Sequence, residues 1–308
     1  MIALAAGTLL GILIFLAGLR TMTQGLRNAA GQRLRWILQR FTAKPAMGLI
    51  TGAAATALTQ SSSATVAAAV GLADANLISL EQALGIILGA NIGTTLTAQL
   101  ISLRWVNGAP WAILLGALVF FLGRNTRWSA AGCIAAGAGG LLWGIELVSL
   151  ALRPLADLPY LANLILEWEN SIYSGILAGI ILTTIFQSSS ATIGLTMALA
   201  GEGLLGVSGG MAIVLGSNIG TVLTSLVASI GTLPEARRTA VGDLLFNCLG
   251  VMAVLPLMNY FLQLLQCTSQ DVARQVANGH ALFNITTALI ALPLVKHLAQ
   301  LVRRLVPK

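Results

Sequence analysis

Two hexapeptides gather the polar side chains with the clearest chemical potential: Gln60-Ser61-Ser62-Ser63-Ala64-Thr65 and Gln187-Ser188-Ser189-Ser190-Ala191-Thr192. Three consecutive hydroxyls beside a carboxamide can donate and accept several hydrogen bonds at once. Serine is also a preferred N-cap, so each hexapeptide reads as the start of a helix. The first turn of a helix offers unpaired N–H groups and a partial positive charge of roughly half a unit. Two such starts facing each other would make a neutral, donor-rich cradle for an oxyanion.

A second motif follows each hexapeptide at the same distance, Gly89-Ala90-Asn91-Ile92-Gly93-Thr94 and Gly216-Ser217-Asn218-Ile219-Gly220-Thr221. Glycine inside an apolar helix predicts unwinding there, with carbonyls freed to bind a small hard cation. The expected sodium ligands are Asn91, Gly93, Thr94 and Thr95 in the first copy, and Asn218, Gly220, Thr221 and Thr224 in the second. Neither motif contains Lys, Arg or His. A buried anion would then lack fixed countercharge, at high cost, and a co-bound sodium would offset that cost. The competing reading is that Ser, Thr and Gly serve close helix packing in a membrane. Two motifs recurring in the same order and spacing favour a site.

The elements that must position these motifs are set by composition. The chain has 308 residues, 56% hydrophobic and 9% charged, against about 25% charged in a soluble domain. Most of its surface must face lipid, and several apolar stretches are long enough for the roughly 30 Å hydrocarbon core. They lack period-2 alternation, so they read as helices and not as barrel strands. Residues 2–19 have no basic region before them, which predicts a retained span and not a cleaved signal peptide. Cys133, Cys248 and Cys267 show no metal or redox spacing. The net charge of +7 fits cytoplasmic loops of a membrane protein better than a nucleic-acid surface.

An internal repeat organises the chain. An offset of 127 pairs Gly48 with Gly175, Gly52 with Gly179, Thr56 with Thr183, Gln60 with Gln187 and Thr97 with Thr224. With one gap, Gly18 aligns with Gly144 and Arg27 with Arg153. The predicted fold is an all-α integral membrane protein of two inverted-topology repeats, each with a re-entrant helical hairpin and a broken helix, plus a final span. Repeat 1 covers 1–125, with spans 3–22, 80–103 and 110–123 and hairpin 45–75. Repeat 2 covers 126–265, with spans 129–150, 207–230 and 239–263 and hairpin 172–203. The final span and a cytoplasmic tail cover 276–308. The linking segments 27–44 and 153–170 hold Trp36 and Trp168, residues suited to the membrane interface.

Three crossings per repeat invert the second copy, as in secondary transporters. With the N-terminus outside, 14 of the 17 Lys and Arg fall inside: Arg20, Arg27, Arg33, Arg35, Arg40, Lys44, Arg124, Arg127, Arg237, Arg238, Lys296, Arg303, Arg304 and Lys308. Arg104, Arg153 and Arg274 fall outside, together with Asp157, Glu167, Glu169, Glu202 and Asp271. The positive-inside rule therefore predicts an external N-terminus and a cytoplasmic C-terminus. It also makes the two hairpins dip in from opposite faces.

Glu146 lies deep in its span. Such a carboxyl marks a function by default, or it is a protonated group bonded to a neighbouring helix. Asp243, Glu81 and Asp74 are expected at solvated cytoplasmic ends. His280-Ala281-Leu282-Phe283-Asn284 echoes Asp243-Leu244-Leu245-Phe246-Asn247, and helix contact is expected of both. No nucleophile–base pair, metal-ligand cluster or P-loop is present in the sequence, which argues against an enzyme.

The duplicated Gln-Ser-Ser-Ser and Gly-Ala-Asn-Ile-Gly-Thr motifs resemble those of the type II sodium–phosphate cotransporters, over nearly the whole chain. The resemblance implies phosphate sites at Gln60, Ser61, Ser62 and Ser63 and at Gln187, Ser188, Ser189 and Ser190, with contributions from Asn91 and Asn218. It adds Ser62, Thr65, Ser189 and Thr192 to the sodium ligands. It implies sodium as coupling ion with no other cofactor, a bacterial inner-membrane location, and no nucleic-acid partner. A PhoU-like regulatory domain or protein and a homodimer are compatible with it. The expected activity is sodium-coupled phosphate transport by alternating access. Transport of another oxyanion, net phosphate export, and non-transporting phosphate sensing are the alternatives.

Overall fold

The computed structural model describes residues 2–30, 44–103, 106–124, 126–152 and 158–307, and among these every regular element is a helix. Arg33, Arg35, Trp36, Arg40, Arg104, Arg153, Asp157 and Lys308 lie outside the described residues, as do the side chains of Arg127 and Thr224.

Helices α1 (Ile2–Ala30) and α6 (Arg127–Leu152) pack as a long antiparallel pair. Small residues allow their backbones to touch. A Cβ on Gly18 would overlap the backbone of Leu141, and one on Gly144 the backbone of Phe15. These two contacts exchange under an offset of 126, as do Gly11 against Val148 and Gly137 against Met22. Equivalent positions thus meet across a local two-fold. Helix α5 (Ala109–Leu122) lies along α6 and turns Trp111, Leu115 and Phe121 outward. Its 14 residues span only about 21 Å, so 110–123 is shorter than the crossing expected of it.

Each hexapeptide joins two short helices: α2 (Pro45–Thr59) to α3 (Ser62–Asp74), and α8 (Ile172–Phe186) to α9 (Ser189–Gly201). Helix α7 (Pro159–Asn170) precedes α8 and meets it at a bend of 114°. At the centre lie α4 (Leu80–Ser102) and α10 (Val207–Ala228), whose Ile86, Ile87, Met211, Ile213 and Leu215 are fully buried. The expected breaks at Asn91–Thr94 and Asn218–Thr221 are absent: both helices run through them without interruption. The glycines serve approach and not unwinding. A Cβ on Gly93 would stand 2.5 Å from the Ala53 carbonyl oxygen of α2, and one on Gly220 2.9 Å from that of Ile180 on α8.

Two kinked arms complete the fold. Helices α11 (Pro234–Val254) and α12 (Met258–Gln266) are joined by a 3-10 turn at Leu255–Leu257, and α13 (Val272–Ala291) and α14 (Val295–Leu305) by one at Leu292–Leu294. Proline stands in the middle of both turns, where it interrupts the α-helical bonding. Helix α11 packs on α3 and α10, and α13 on α9 and α4, so the two arms occupy matching places. The sequence pairing of 239–263 with 110–123, leaving 276–296 unmatched, does not follow this packing.

Among the described residues five helical arms are long and apolar enough to cross a membrane, or six when the bent α7–α8 pair counts as one. The chain is an all-α multi-pass membrane protein. Polar contacts sort its ends into two sets. Glu81 pairs with Arg303 at 2.8 Å, Arg238 donates to the Val306 carbonyl at 2.9 Å, and Asp74 accepts from the Leu233 amide at 2.8 Å. At the other end Arg274 donates to Ser102 at 3.0 Å, and Glu169 accepts from the Gly206 and Gly209 amides at 2.9 and 3.0 Å. The charged residues of the first set, Asp74, Glu81, Arg238 and Arg303, were expected on one side, and those of the second, Glu169 and Arg274, on the other. Asp243 departs from expectation: it is buried, with its carboxylate accepting from Asn247 at 2.9 Å.

Candidate functional site

The site is built at the two hexapeptide turns, and their local structure is nearly identical. Gln60 (φ 50°, ψ 32°) and Gln187 (φ 54°, ψ 28°) both close the preceding helix in the left-handed conformation. A residue with a Cβ resists that region by about 1–2 kcal/mol, and such departures gather at functional sites. Glycine would close the turn more cheaply, so glutamine is retained for its side chain. Its Nε2 donates back to the helix end, from Gln60 to the Ala57 carbonyl and from Gln187 to that of Thr184. In the first copy Thr97 of α4 also donates to Gln60 Oε1. The carboxamide is thereby held toward the turn.

The next residue caps the returning helix. Ser61 accepts from the Ala64 amide and Ser188 from that of Ala191, both at 3.2 Å. The arms are tied one turn deeper by Thr56 to Thr65 at 2.9 Å and Thr183 to Thr192 at 2.8 Å, all four threonines being buried. These bonds leave the hydroxyls of Ser62, Ser189 and Ser190 without a protein partner among the described residues, beside the open amides of each helix start.

The two turns meet. Gln60, Ser61, Ser62 and Ser63 share one cavity of about 410 Å³ with Gln187, Ser188, Ser189 and Ser190, a volume within the roughly 300–1,000 Å³ usual for ligand pockets. All eight hexapeptide residues predicted for phosphate line it. Helix α1 supplies the facing wall with Arg20, Thr23, Gln24 and Arg27, and α10 adds Thr221. The arginines were missed as site residues because the expectation of an anion without fixed countercharge considered only the motifs. Their spacing of seven residues on one helix face was the available signal.

Among the described residues, the remaining predicted members fall behind this surface, Thr221 excepted. Asn91 and Asn218 do not line the cavity, and each donates to a carbonyl of its own helix, that of Ile87 at 3.1 Å and of Val214 at 3.4 Å. Thr94, Thr95 and Thr221 likewise bond the carbonyls of Ala90, Ile92 and Ser217. With the helices unbroken, Gly93 and Gly220 free no carbonyl. Thr65 and Thr192 are fully buried in the arm-tying bonds, and the Thr224 side chain lies outside the described residues. What can bind at this site is therefore serine hydroxyl, helix-start amide, carboxamide and guanidinium. All are donors suited to an oxyanion.

Comparison with known proteins points the same way. Residues 14–150 and 140–297 match the model of a family described as Na+/Pi-cotransporter. The chain is 34% identical over 248 residues to YqeW, an uncharacterized protein of Bacillus subtilis, covering 80% of each. It is 31% identical to the putative inorganic phosphate export protein YjbB of Escherichia coli K12, over 79% of this chain and 45% of that one. The sodium-dependent phosphate transport protein 2A of Rattus norvegicus is 35% identical over 29% of this chain and 16% of its own. The chain thus spans less than half the length of the YjbB proteins. No solved structure matches it.

Proposed function

Since the chain belongs to the Na+/Pi-cotransporter family, we propose that it carries inorganic phosphate across the membrane in exchange for no chemical change, coupled to sodium. The observation that carries this reading is the convergence of both hexapeptides on one cavity. Phosphate would be held by the Ser62, Ser63, Ser189 and Ser190 hydroxyls, the helix-start amides of α3 and α9, and the Gln60 and Gln187 carboxamides. The exposed Arg20 and Arg27 would draw the anion in and offset its charge. Sodium would take the carboxamide oxygens of Asn91 and Asn218 and the hydroxyl of Thr221, near the anion whose charge it neutralises.

The two hairpins are read as re-entrant segments entering from opposite faces. Helix starts at membrane depth are tolerated where they line a cavity. The local two-fold between α1 and α6 supports an inverted repeat, the architecture that permits alternating access. On the positive-inside reading the cavity opens to the cytoplasm, since Arg27 lies toward that end of α1. A net export direction has its own support in the YjbB relatives, named as putative export proteins.

The test is flux in proteoliposomes. Purified protein should move labelled phosphate down a phosphate gradient in a sodium-dependent way. Competition with sulfate should be weak. Absence of sodium-dependent phosphate flux in both directions would refute the reading. Tight phosphate binding with no flux would favour a sensor.

A further inference from the structure

A second polar cavity lies between α4, α6, α9 and α13. It measures about 200 Å³ and is lined by Glu146, Ser149 and Glu202 among apolar neighbours. Its relation to the hexapeptide cavity is fixed by the repeat. Helix α1 lines the first cavity with Leu16, Leu19, Arg20 and Thr23. An offset of 126 carries these to Leu142, Ile145, Glu146 and Ser149, the α6 residues that line the second. The same wall has been used twice, and at one position the cation of the first copy is a carboxylate in the second.

We infer that Glu146 and Ser149, with Glu202 beside them, form a binding site for a monovalent cation, sodium, at the face opposite the hexapeptide cavity. Three observations carry this. Ser149 is 8% exposed, lines the cavity, and has no hydrogen-bond partner among the described residues. Its hydroxyl is thus free to ligate what enters the cavity. Glu146 likewise has no ion-pair or hydrogen-bond partner among the described residues, whereas Glu202 is already engaged. Arg274, on the helix of the lining residue Ala273, donates to Ser102 at 3.0 Å. Finally, the C-terminal ends of α4, α6 and α9, at Ser102, Leu152 and Gly201, come together around this cavity. Helix C-termini carry partial negative charge. The first cavity gathers helix starts and suits an anion. The second gathers helix ends and suits a cation.

Helix α9 links the two, with Ser189 at one cavity and Gly201 at the other. A cation held at its end would thus act on the element that presents serines to the anion. That coupling role rests on the transport reading above, whereas the cation site does not.

The test is binding of labelled sodium to the purified, phosphate-free protein. Glu146→Gln should weaken it by about tenfold or more, as expected for loss of one charged ligand, and Ser149→Ala should weaken it by a smaller factor. Glu146→Asp should restore part of the affinity. Phosphate binding at saturating sodium should stay within about twofold, which also shows that the variants fold. Unchanged sodium affinity in both Glu146→Gln and Ser149→Ala overturns the site. So does a Glu146→Gln effect on proton uptake alone, which would assign the carboxyl to protons. Sodium binding that depends on Glu146 in a protein moving no phosphate would sink the transport reading and leave this site standing.

Discussion

Ser189→Ala separates the phosphate reading from a packing reading. Ser189 is 5% exposed, starts α9, and lines the cavity with its hydroxyl unpartnered by protein. In the empty protein the change removes no hydrogen bond, so stability should move by no more than about 0.5 kcal/mol. In the phosphate-bound protein it removes one donor to a charged ligand, worth about 1.5–3 kcal/mol. That is about a 10- to 150-fold loss of phosphate affinity. The neighbour Ser188 supplies the contrast. It caps α9 through the Ala191 amide at 3.2 Å, so Ser188→Ala should cost about 1 kcal/mol of stability. The assay is labelled-phosphate binding on purified protein, paired with thermal unfolding in the same detergent. Loss of stability without loss of affinity in Ser189→Ala would refute the reasoning, because the serine would then be a packing residue.

Two further changes probe other parts of the same argument. Gly93→Ala places a methyl 2.5 Å from the Ala53 carbonyl oxygen and should destabilise by about 1–3 kcal/mol, read as a lowered unfolding temperature; an unwound helix at Gly93 would absorb the methyl with no such loss. Arg20→Gln removes one exposed charge from the cavity wall and should weaken phosphate binding by about two- to fivefold at low salt, with the difference fading as salt screens the charge; a salt-independent loss would mean that Arg20 touches the anion directly.

Much of this was legible in the residues. The apolar stretches marked the long arms at 3–22, 80–103 and 129–150, and the duplicated Gln-Ser-Ser-Ser marked the two turns, because a helix needs an N-cap and serine is one. The unbroken course of α4 and α10 was not legible. Asn-Ile-Gly-Thr is as compatible with an unwound segment as with a helix pressed against a neighbour, and only the partner decides. That partner is α2 or α8, some 40 residues upstream of the glycine that meets it: Ala53 against Gly93, and Ile180 against Gly220. The matching of α11 with α13 was visible in the shared Phe-Asn pairs and in Leu255-Pro256-Leu257 and Leu292-Pro293-Leu294. The larger 127-residue offset hid it, since α13 lies only 37 residues beyond α11. Arg20 and Arg27 escaped because charge was counted along the motif. The α1 wall reaches the cavity through tertiary packing, on α6, on α2 and through Phe15 against Gly194 of α9.

Repetition with substitution gives the molecule its polarity. A strictly symmetric duplication would place the same charge on both walls, and an anion would meet equal attraction from either side. Arg20 and Glu146 stand at one position of the repeat, and so do Thr23 and Ser149. The hydroxyl is therefore kept while the charge is inverted. A protein binding an anion and a cation together must bring them in without either repelling the other or being captured at the wrong mouth. Opposite fixed charges on either side of the local two-fold of one antiparallel helix pair meet that need at the level of approach, before any binding contact forms. Exchanging the two charges in Arg20→Glu with Glu146→Arg tests the idea. The double variant should fold, because each cavity keeps its volume class and its hydroxyl, yet both phosphate and sodium should bind at least about tenfold more weakly at low salt, with partial recovery as screening increases. Wild-type affinity for both ions would show that the two walls contribute no electrostatic selection.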